Sequence, residues 1–343
     1  MTTTPRVRVS GPNDLIAVIP YLLGFHPHDS VVLVGLVGQP STIGLSMRLD
    51  LAEACDPRRD LTPLVQALGR ARASGVVILV YAADEYRDVV QRIRDECSGT
   101  GIDIVDALRV HDGRRWSYVC SDPACCPADG VGLAEASSVA AVATAVAAGM
   151  VAAEDRSELV DELSARDGSV ATAVRRSVDR HLDRWSALVS TGGRSAGVAI
   201  AEDHACVDRE MRRRLDGDET PLDVDDAARL LLALQDVLVR DAALRWFAGD
   251  EARVAQRLWL ELTRLAPDDL VAAPATLAAV TAYCQGDGAR AAVALDRALA
   301  AQPDYRMAVY LDHALRNALK PSAIREICAT TMQTLELDGE LAG

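Results

Sequence analysis

Three cysteines stand close together in the segment Cys120-Ser121-Asp122-Pro123-Ala124-Cys125-Cys126-Pro127, and His111 precedes them, so the pattern is H-x8-C-x4-C-C. Thiolate and imidazole ligands suit Zn²⁺, and a β-hairpin could bring them together. The spacing lacks the two C-x2-C knuckles of common zinc sites, and adjacent cysteines rarely serve one metal well. The sequence therefore offers Cys120, Cys125, Cys126 and His111 as metal ligands, with zinc as the candidate cofactor.

Two other interpretations of the same cysteines stay open. One is a thiol redox role, although the C-x4-C spacing differs from the C-x-x-C of redox motifs. The other is structural, with cysteine as a small buried hydrophobe in a turn that prolines stiffen. The N-terminal residues do not form a signal peptide, so we expect a cytoplasmic protein. Its eight cysteines are then reduced thiols or metal ligands rather than a disulfide framework.

A second polar cluster, Phe25-His26-Pro27-His28-Asp29-Ser30, lies between a predicted helix and a predicted strand. Two histidines and an aspartate could bind a metal, or act as a base with its orienting partner. A helix-to-strand turn that Pro27 stiffens explains the same residues without any chemistry. An enzyme would need this segment to lie beside the cysteine turn, which makes His26, Asp29 and Asp122 the catalytic candidates.

Two arginine–aspartate pairs are candidates for ligand binding. Arg48 and Asp50 fall on the same side of an alternating segment, where they could pair with each other on a sheet face. Arg240 and Asp241 interrupt an apolar run, which either an interdomain salt bridge or a ligand clamp would explain.

The composition excludes several function classes. Lys320 is the only lysine among the 36 basic residues, and it stands before a proline, outside any G-x-x-x-x-G-K-[ST] pattern. P-loop and protein-kinase chemistry both need a lysine at the nucleotide phosphates, so both are excluded. Schiff-base enzymes are disfavoured because they need an active-site lysine as well. The motifs G-x-S-x-G, H-E-x-x-H and strand-linked G-x-G-x-x-G are absent, which weakens the commonest hydrolase, protease and dinucleotide-binding interpretations.

The charge and hydropathy patterns limit the partners. A net charge of −14 repels phosphate backbones, so we expect no binding to nucleic acid. The uncharged stretch of residues 136–153 is mostly Ala with Ser and Thr, which is too weakly apolar to span a bilayer. We therefore expect no membrane association.

The elements that must position these residues follow from the hydrophobic pattern. Five segments are predicted to be strands, namely 30–37, 43–51, 76–81, 102–110 and 116–120. Three segments are predicted to be helices, namely 13–23, 61–73 and 85–97. Strands that alternate with helices predict an α/β sheet domain over residues 1–130. The last two strands are joined through Asp112-Gly113, a hairpin signal.

The strand signal vanishes from about residue 131, so we expect a helical connecting region over 131–220 and an all-α remainder. Within residues 221–335, Gly249-Asp250-Glu251-Ala252-Arg253 recurs 37 residues later as Gly286-Asp287-Gly288-Ala289-Arg290. The small–large–small–Pro spacing around Trp259 is similar to the second half of a tetratricopeptide repeat. Helical hairpins of that kind often bind polypeptides, so we expect a protein partner there; the oligomeric state does not follow from the sequence.

Three stretches resemble a known family. They are the opening run from Asp14 to Pro27, the Trp116-Ser117-Tyr118 stretch that leads into the cysteine turn, and Val239-Arg240-Asp241. Together they resemble an uncharacterised bacterial family, domain of unknown function 4192, over most of the chain. The resemblance implies an actinobacterial origin and no activity, substrate or cofactor.

The sequence favours a cytoplasmic protein-interaction or regulatory module whose α/β domain binds a ligand or a metal. An enzyme of unknown class that uses the His26–Asp29 loop and the Cys120–Cys126 turn is one alternative. A purely structural scaffold is the other.

Overall fold

The computed structural model describes residues 9–165, 168–190 and 196–341. The chain divides into two compact units. The sheet unit comprises Met1–Glu158 with Arg316–Ala318, and the helical unit comprises Leu159–Leu315 with Leu319–Gly343.

The sheet unit contains a six-stranded mixed sheet in the order β2-β1-β3-β4-β5-β6. Its strands are β1 (Ser30–Val37), β2 (Thr42–Asp50), β3 (Gly75–Tyr81), β4 (Asp103–His111), β5 (Arg114–Ser117) and β6 (Val131–Gly132). Only the pair β3–β4 is parallel, and the other neighbouring strands are antiparallel. The predicted combination of a sheet in the N-terminal part with helices after it is thereby confirmed.

The described helices of the sheet unit flank this sheet. They are α1 (Pro12–Leu23), α2 (Leu51–Cys55), α3 (Thr62–Arg70), α4 (Arg87–Cys97) and α5 (Ala140–Ala147), while α6 (Arg156–Asp161) crosses the boundary between the units. Residues 131–158 join the sheet unit because β6 pairs with β5 and α5 packs against α1. In the first part of the predicted helical connecting region, a 3₁₀ turn ends at Ser138 before α5 begins.

Both faces of the central strands are buried. On one face, Val31 and Ile78 belong to a core that includes Leu68 of α3 and Ile93 of α4. The alternate residues Val32, Val34 and Leu79 point to the opposite face, where they are buried as well. Burial on two sides explains why β1 and β3 are continuous apolar runs instead of alternating ones.

The described helices of the helical unit contain between 6 and 23 residues. They are α7 (Gly168–Ser190), α8 (Ala196–Leu215), α9 (Val224–Ala233), α10 (Val237–Ala242), α11 (Glu251–Leu265), α12 (Ala272–Cys284), α13 (Gly288–Ala301), α14 (Arg306–Arg316) and α15 (Pro321–Leu341). α12 is buried along its whole length and packs against α11 and α13. None of the helices among the described residues combines the length and the hydropathy that crossing a membrane requires.

The sequence repeat corresponds to a repeated helix. α11 begins at Glu251 and α13 begins at Gly288, which is 37 residues later. In both helices a leucine at the matching position is fully buried, Leu258 in the first and Leu295 in the second. The same buried position is therefore filled by leucine in each copy.

Candidate functional site

The three cysteines lie in a loop between β5 and β6, residues 118–130, which we name the cysteine loop. The chain leaves the sheet after Ser117, whose hydroxyl accepts the N–H groups of Val119 at 3.2 Å and of Cys120 at 2.9 Å. It returns at Val131, which pairs with Arg115. The sequence predicted that this strand ends at residue 120. β5 ends at Ser117 instead, because the Ser117 hydroxyl turns the chain out of the sheet.

Asp122 shapes the turn that contains the sulfur atoms. Its carboxylate accepts the N–H of Ala124 at 2.9 Å, and its carbonyl accepts the N–H groups of Cys125 at 3.1 Å and Cys126 at 2.7 Å. This turn brings the Sγ atoms of Cys120, Cys125 and Cys126 within 4.8 Å of one another. The Sγ atoms of the two adjacent cysteines are 3.8 Å apart.

The far side of the cysteine loop is attached to β5. The Trp116 indole N–H donates to the carbonyl of Ala128 at 3.1 Å, and the Arg114 guanidinium donates to the carbonyls of Asp129 at 2.7 Å and Gly130 at 2.9 Å. The Arg109 guanidinium stacks on the Trp116 ring, 3.9 Å from its centroid. Hydrogen bonds at both ends thus hold the loop in a defined position at the edge of the sheet.

Gly130 offers a test of this attachment. An added Cβ would lie 2.5 Å from Cε2 of Trp116, and the residue has a φ of +78°. We expect Gly130→Ala to displace the indole and to cost about 1–3 kcal/mol of unfolding free energy, measured by urea denaturation. Gly101→Ala is the matched control, because Gly101 has the same φ of +78° with nothing within 4 Å of the added atom. Equal losses for both variants would show that the contact with Trp116 does not matter.

The hydrogen bonds within the cluster divide the cysteines into an acidic thiol and a basic one. The backbone N–H of Asp122 and the thiols of Cys126 and Cys125 donate to the Cys120 sulfur and lower the pKa of Cys120. Donation to Cys120, together with desolvation, raises the pKa of Cys126 to about 12. Cys125 is exposed and the other two cysteines are partly buried. The surroundings of Cys120 thus favour its thiolate over that of Cys126.

The sulfur positions are close to those that a metal ion requires. A tetrahedral ion with Zn–S bonds of about 2.3 Å needs sulfur atoms about 3.8 Å apart. The Cys125–Cys126 separation of 3.8 Å has this value, and the remaining separations are at most 4.8 Å. Adjacent cysteines were expected to serve one metal badly. Here the turn around Asp122 turns both sulfur atoms toward Cys120.

His111 does not join the cluster. Among the residues that the structure describes, the cysteines are the one group of three metal-ligating side chains whose ligand atoms come this close together. The Asp112-Gly113 turn pairs His111 with Arg114, whereas the cysteine loop leaves from Ser117, opposite Leu108. His111 thus lies at the other end of the hairpin, and the structure does not group it with the three sulfur atoms.

The histidine segment stands apart from the cysteine loop. His26, His28 and Asp29 precede β1, and β1 and β5 are three positions apart in the sheet, about 14 Å between strand axes. The His26 N–H donates to the Ala153 carbonyl at 3.0 Å. Burial, followed by the neighbouring charge of His28, lowers the pKa of His26. The geometry therefore does not bring the catalytic candidates His26 and Asp29 to the cysteines.

Both arginine–aspartate pairs are closed ion pairs. Arg48 contacts Asp50 at 2.6 Å and also donates to the buried Ser30 hydroxyl at 2.8 Å. Arg240 contacts Asp241 at 2.6 Å and donates to the Tyr305 hydroxyl at 3.1 Å. The structure thus shows side chains that satisfy each other, and Arg240–Asp241 lies within the helical unit.

The sequence reasoning missed the residues that support the loop. Ser117, Trp116 and Arg114 belong to β5, and their spacing carries no motif that separates them from other strand residues. Asp129-Gly130 is a turn signal that could have marked the end of the loop.

The comparisons with known proteins agree with the motifs. No curated protein and no solved structure matches the chain. The family model described as domain of unknown function (DUF4192) matches residues 12–322, which is most of the chain. The chain therefore belongs to this family of unknown function.

Proposed function

We propose that the sheet unit is a zinc-binding regulatory module whose metal ligands are the thiolates of Cys120, Cys125 and Cys126. The observation that supports this proposal is the approach of the three Sγ atoms within 4.8 Å of one another. The anchored loop lowers the cost of binding, because the sulfur atoms need to move by about 1 Å or less to reach the tetrahedral spacing.

The donor set favours a soft cation. Thiolates select zinc, copper(I) and iron–sulfur clusters, whereas Ca²⁺ and Mg²⁺ prefer oxygen ligands. The N–H of Asp122 already donates to the Cys120 sulfur, and such donation stabilises a metal-bound thiolate by the same electrostatics as a free one. Zinc is the proposed metal because it takes thiolate ligands in tetrahedral geometry without redox chemistry.

The fourth position of the ion distinguishes this proposal from a purely structural zinc site. Structural zinc sites have four protein ligands, and sites with an open position bind water or another exchangeable ligand. The group of described ligand atoms contains three members, and one of them, Cys125, is exposed. We therefore propose a zinc ion with a solvent-accessible fourth position, which suits exchange and regulation better than permanent cross-linking.

The test is the metal content of the full chain, purified without a tag or chelator and measured by inductively coupled plasma mass spectrometry. We expect about one zinc per chain in the unaltered protein and less than about a tenth of that in Cys120→Ser, because removal of one of three thiolates weakens binding by orders of magnitude. Cys55→Ser is the control, since Cys55 is an exposed cysteine of the same unit outside the loop.

Two results would contradict the proposal. One is unaltered protein that binds no zinc even after incubation with an excess of the ion. The other is zinc that persists in Cys120→Ser at the level of the Cys55→Ser control. A signal from copper or iron in the same measurement would keep the site and correct the metal.

A second candidate function concerns the helical unit, which we propose to be a set of tetratricopeptide-like hairpins that bind a polypeptide partner. The alternation of helices supports it: α11 and α13 are related by 37 residues, and α12 and α14 follow them, beginning at Ala272 and Arg306. Stoichiometric binding of a defined polypeptide to the full chain, lost when the helical unit is unfolded, would support this role.

A further inference from the structure

We propose that peroxide converts Cys120 and Cys126 into a disulfide and thereby releases the metal from the cysteine loop. This inference rests on the proposed zinc site and adds its regulation. It stands on three features of the loop: three thiols in mutual reach, an opening to solvent at Cys125, and the absence of any disulfide among the eight cysteines, all of which the structure describes.

The covalent geometry decides which cysteines can pair. Consecutive Cα atoms are about 3.8 Å apart, whereas disulfides usually join Cα atoms about 4.4–6.8 Å apart. Cys125 and Cys126 are consecutive, so a disulfide between them would be strained. Cys120 must therefore be one partner. A disulfide that includes Cys120 closes a short loop around Asp122 and Pro123, which the observed turn already forms.

Cys126 is the better partner for Cys120. The Sγ atoms of Cys120 and Cys126 lie within 4.8 Å of each other, and both cysteines are partly buried. The Cys126 N–H donates to the Asp122 carbonyl at 2.7 Å, shorter than the 3.1 Å of the corresponding bond from Cys125. Cys125 is the exposed cysteine of the three and is left as the free thiol.

The reaction balances with a hydroperoxide as the oxidant. The Cys120 thiolate attacks the terminal peroxide oxygen, the O–O bond breaks, and the thiolate becomes a sulfenic acid while an alcohol or water leaves. The Cys126 thiol then attacks the sulfenic sulfur, forms the S–S bond and expels water. The two thiols lose two electrons and two protons, and one peroxide is reduced to an alcohol and a water, or to two waters in the case of hydrogen peroxide.

The consequence for the metal follows from the ligand count. A disulfide sulfur is neutral and no longer a thiolate ligand. Oxidation therefore removes two of the three ligands, and the single remaining thiolate of Cys125 cannot retain zinc. The loop would respond to peroxide by losing its ion, and thiol reduction would restore the site.

The experiment treats zinc-loaded full-length protein with hydrogen peroxide and follows two signals together. A chromogenic chelator measures released zinc, and intact mass spectrometry measures the loss of two hydrogen atoms. We expect one zinc released per disulfide formed. Cleavage before Asp122 by an aspartate-specific protease separates Cys120 from the other two cysteines, so the two peptides should stay joined until reduction.

Variants assign the bond and separate the two proposals. In zinc-free protein, Cys125→Ser and the control Cys55→Ser should form the Cys120–Cys126 disulfide at the normal rate. Cys126→Ser can join only Cys120 and Cys125, and it should form that disulfide at least about tenfold more slowly. Protein that holds no zinc before oxidation overturns the metal site and this inference with it. Protein that holds zinc, and either keeps it in peroxide or loses it without a Cys120–Cys126 disulfide, overturns this inference alone.

Discussion

Replacing Arg214 with methionine is expected to destabilise the helical unit by about 3–5 kcal/mol, because it leaves two largely covered carboxylates without their partner. Arg214 is 8% exposed and joins two elements. Its Nε donates to Glu210 of α8 at 2.6 Å, and its NH2 group donates to Glu261 of α11 at 2.7 Å. Glu261 in turn accepts the N–H of Leu222 at 2.8 Å.

The size of the effect comes from desolvation rather than from the strength of the ion pair. Glu261 keeps one hydrogen bond from Leu222 when Arg214 is removed, and Glu210 keeps its bonds to Arg213. A largely covered carboxylate that loses its charged partner must draw in water to replace it, and this costs free energy. Replacing Arg214 and Glu261 together by apolar residues should therefore recover part of the loss.

Urea denaturation of Arg214→Met, Glu261→Leu, the double variant Arg214→Met/Glu261→Leu and a surface control measures these free energies of unfolding. The control is Arg257→Met, which removes a 3.1 Å contact with Glu219 whose side chains are 54% and 73% exposed. Exposed pairs of this kind contribute about 0–1 kcal/mol. A double variant as unstable as the sum of its parts, or a single variant no worse than Arg257→Met, would show that burial of Arg214 is not decisive.

The central strands are the part of the fold that the sequence specifies most strongly. β1 and β3 consist of apolar residues that only a doubly covered sheet can bury, so their positions follow from composition alone. β6 could not be predicted because its two residues carry no period. α12 is equally hard to delimit, since its buried faces leave no amphipathic pattern to detect.

The cysteines of the candidate site could be named from the sequence, but their convergence could not. Spacing suggested that Cys120, Cys125 and Cys126 share one turn, yet it also suggested His111, which the hairpin carries away from them. The three cysteines converge because single backbone N–H groups donate to the carbonyl of Asp122 and form the turn. Such local bonds direct side chains and leave no trace in residue spacing.

The metal proposal also explains why a 13-residue connection can be ordered. A loop of this length usually pays a large conformational entropy cost, and the anchors at Ser117 and Trp116 offset part of it. Bound zinc would stabilise the folded loop further in proportion to the logarithm of its free concentration. Loss of the ion on oxidation would remove this stabilisation of the folded loop. The loop is therefore suited to change its conformation when the cysteines are oxidised.

Replacing Trp259 with alanine is expected to destabilise the helical unit by about 3–5 kcal/mol, the usual cost of removing a buried tryptophan. Trp259 is 1% exposed, and its ring lies 6.4 Å from that of Trp246 with an interplanar angle of 41°. The substitution therefore leaves a cavity and removes an aromatic contact. Trp185 is the matched control, because it is 50% exposed and its replacement by alanine should change stability by less than about 0.5 kcal/mol.

Helical circular dichroism during urea denaturation is the appropriate measurement, since fluorescence would change with the tryptophan itself. Trp259→Phe should recover part of the loss, because a smaller cavity costs less. The zinc content without denaturant should stay the same in all three variants, since the proposed ligands belong to the sheet unit. Equal losses in Trp259→Ala and Trp185→Ala would refute the packing argument, and zinc lost from Trp259→Ala would show that the metal site depends on the helical unit.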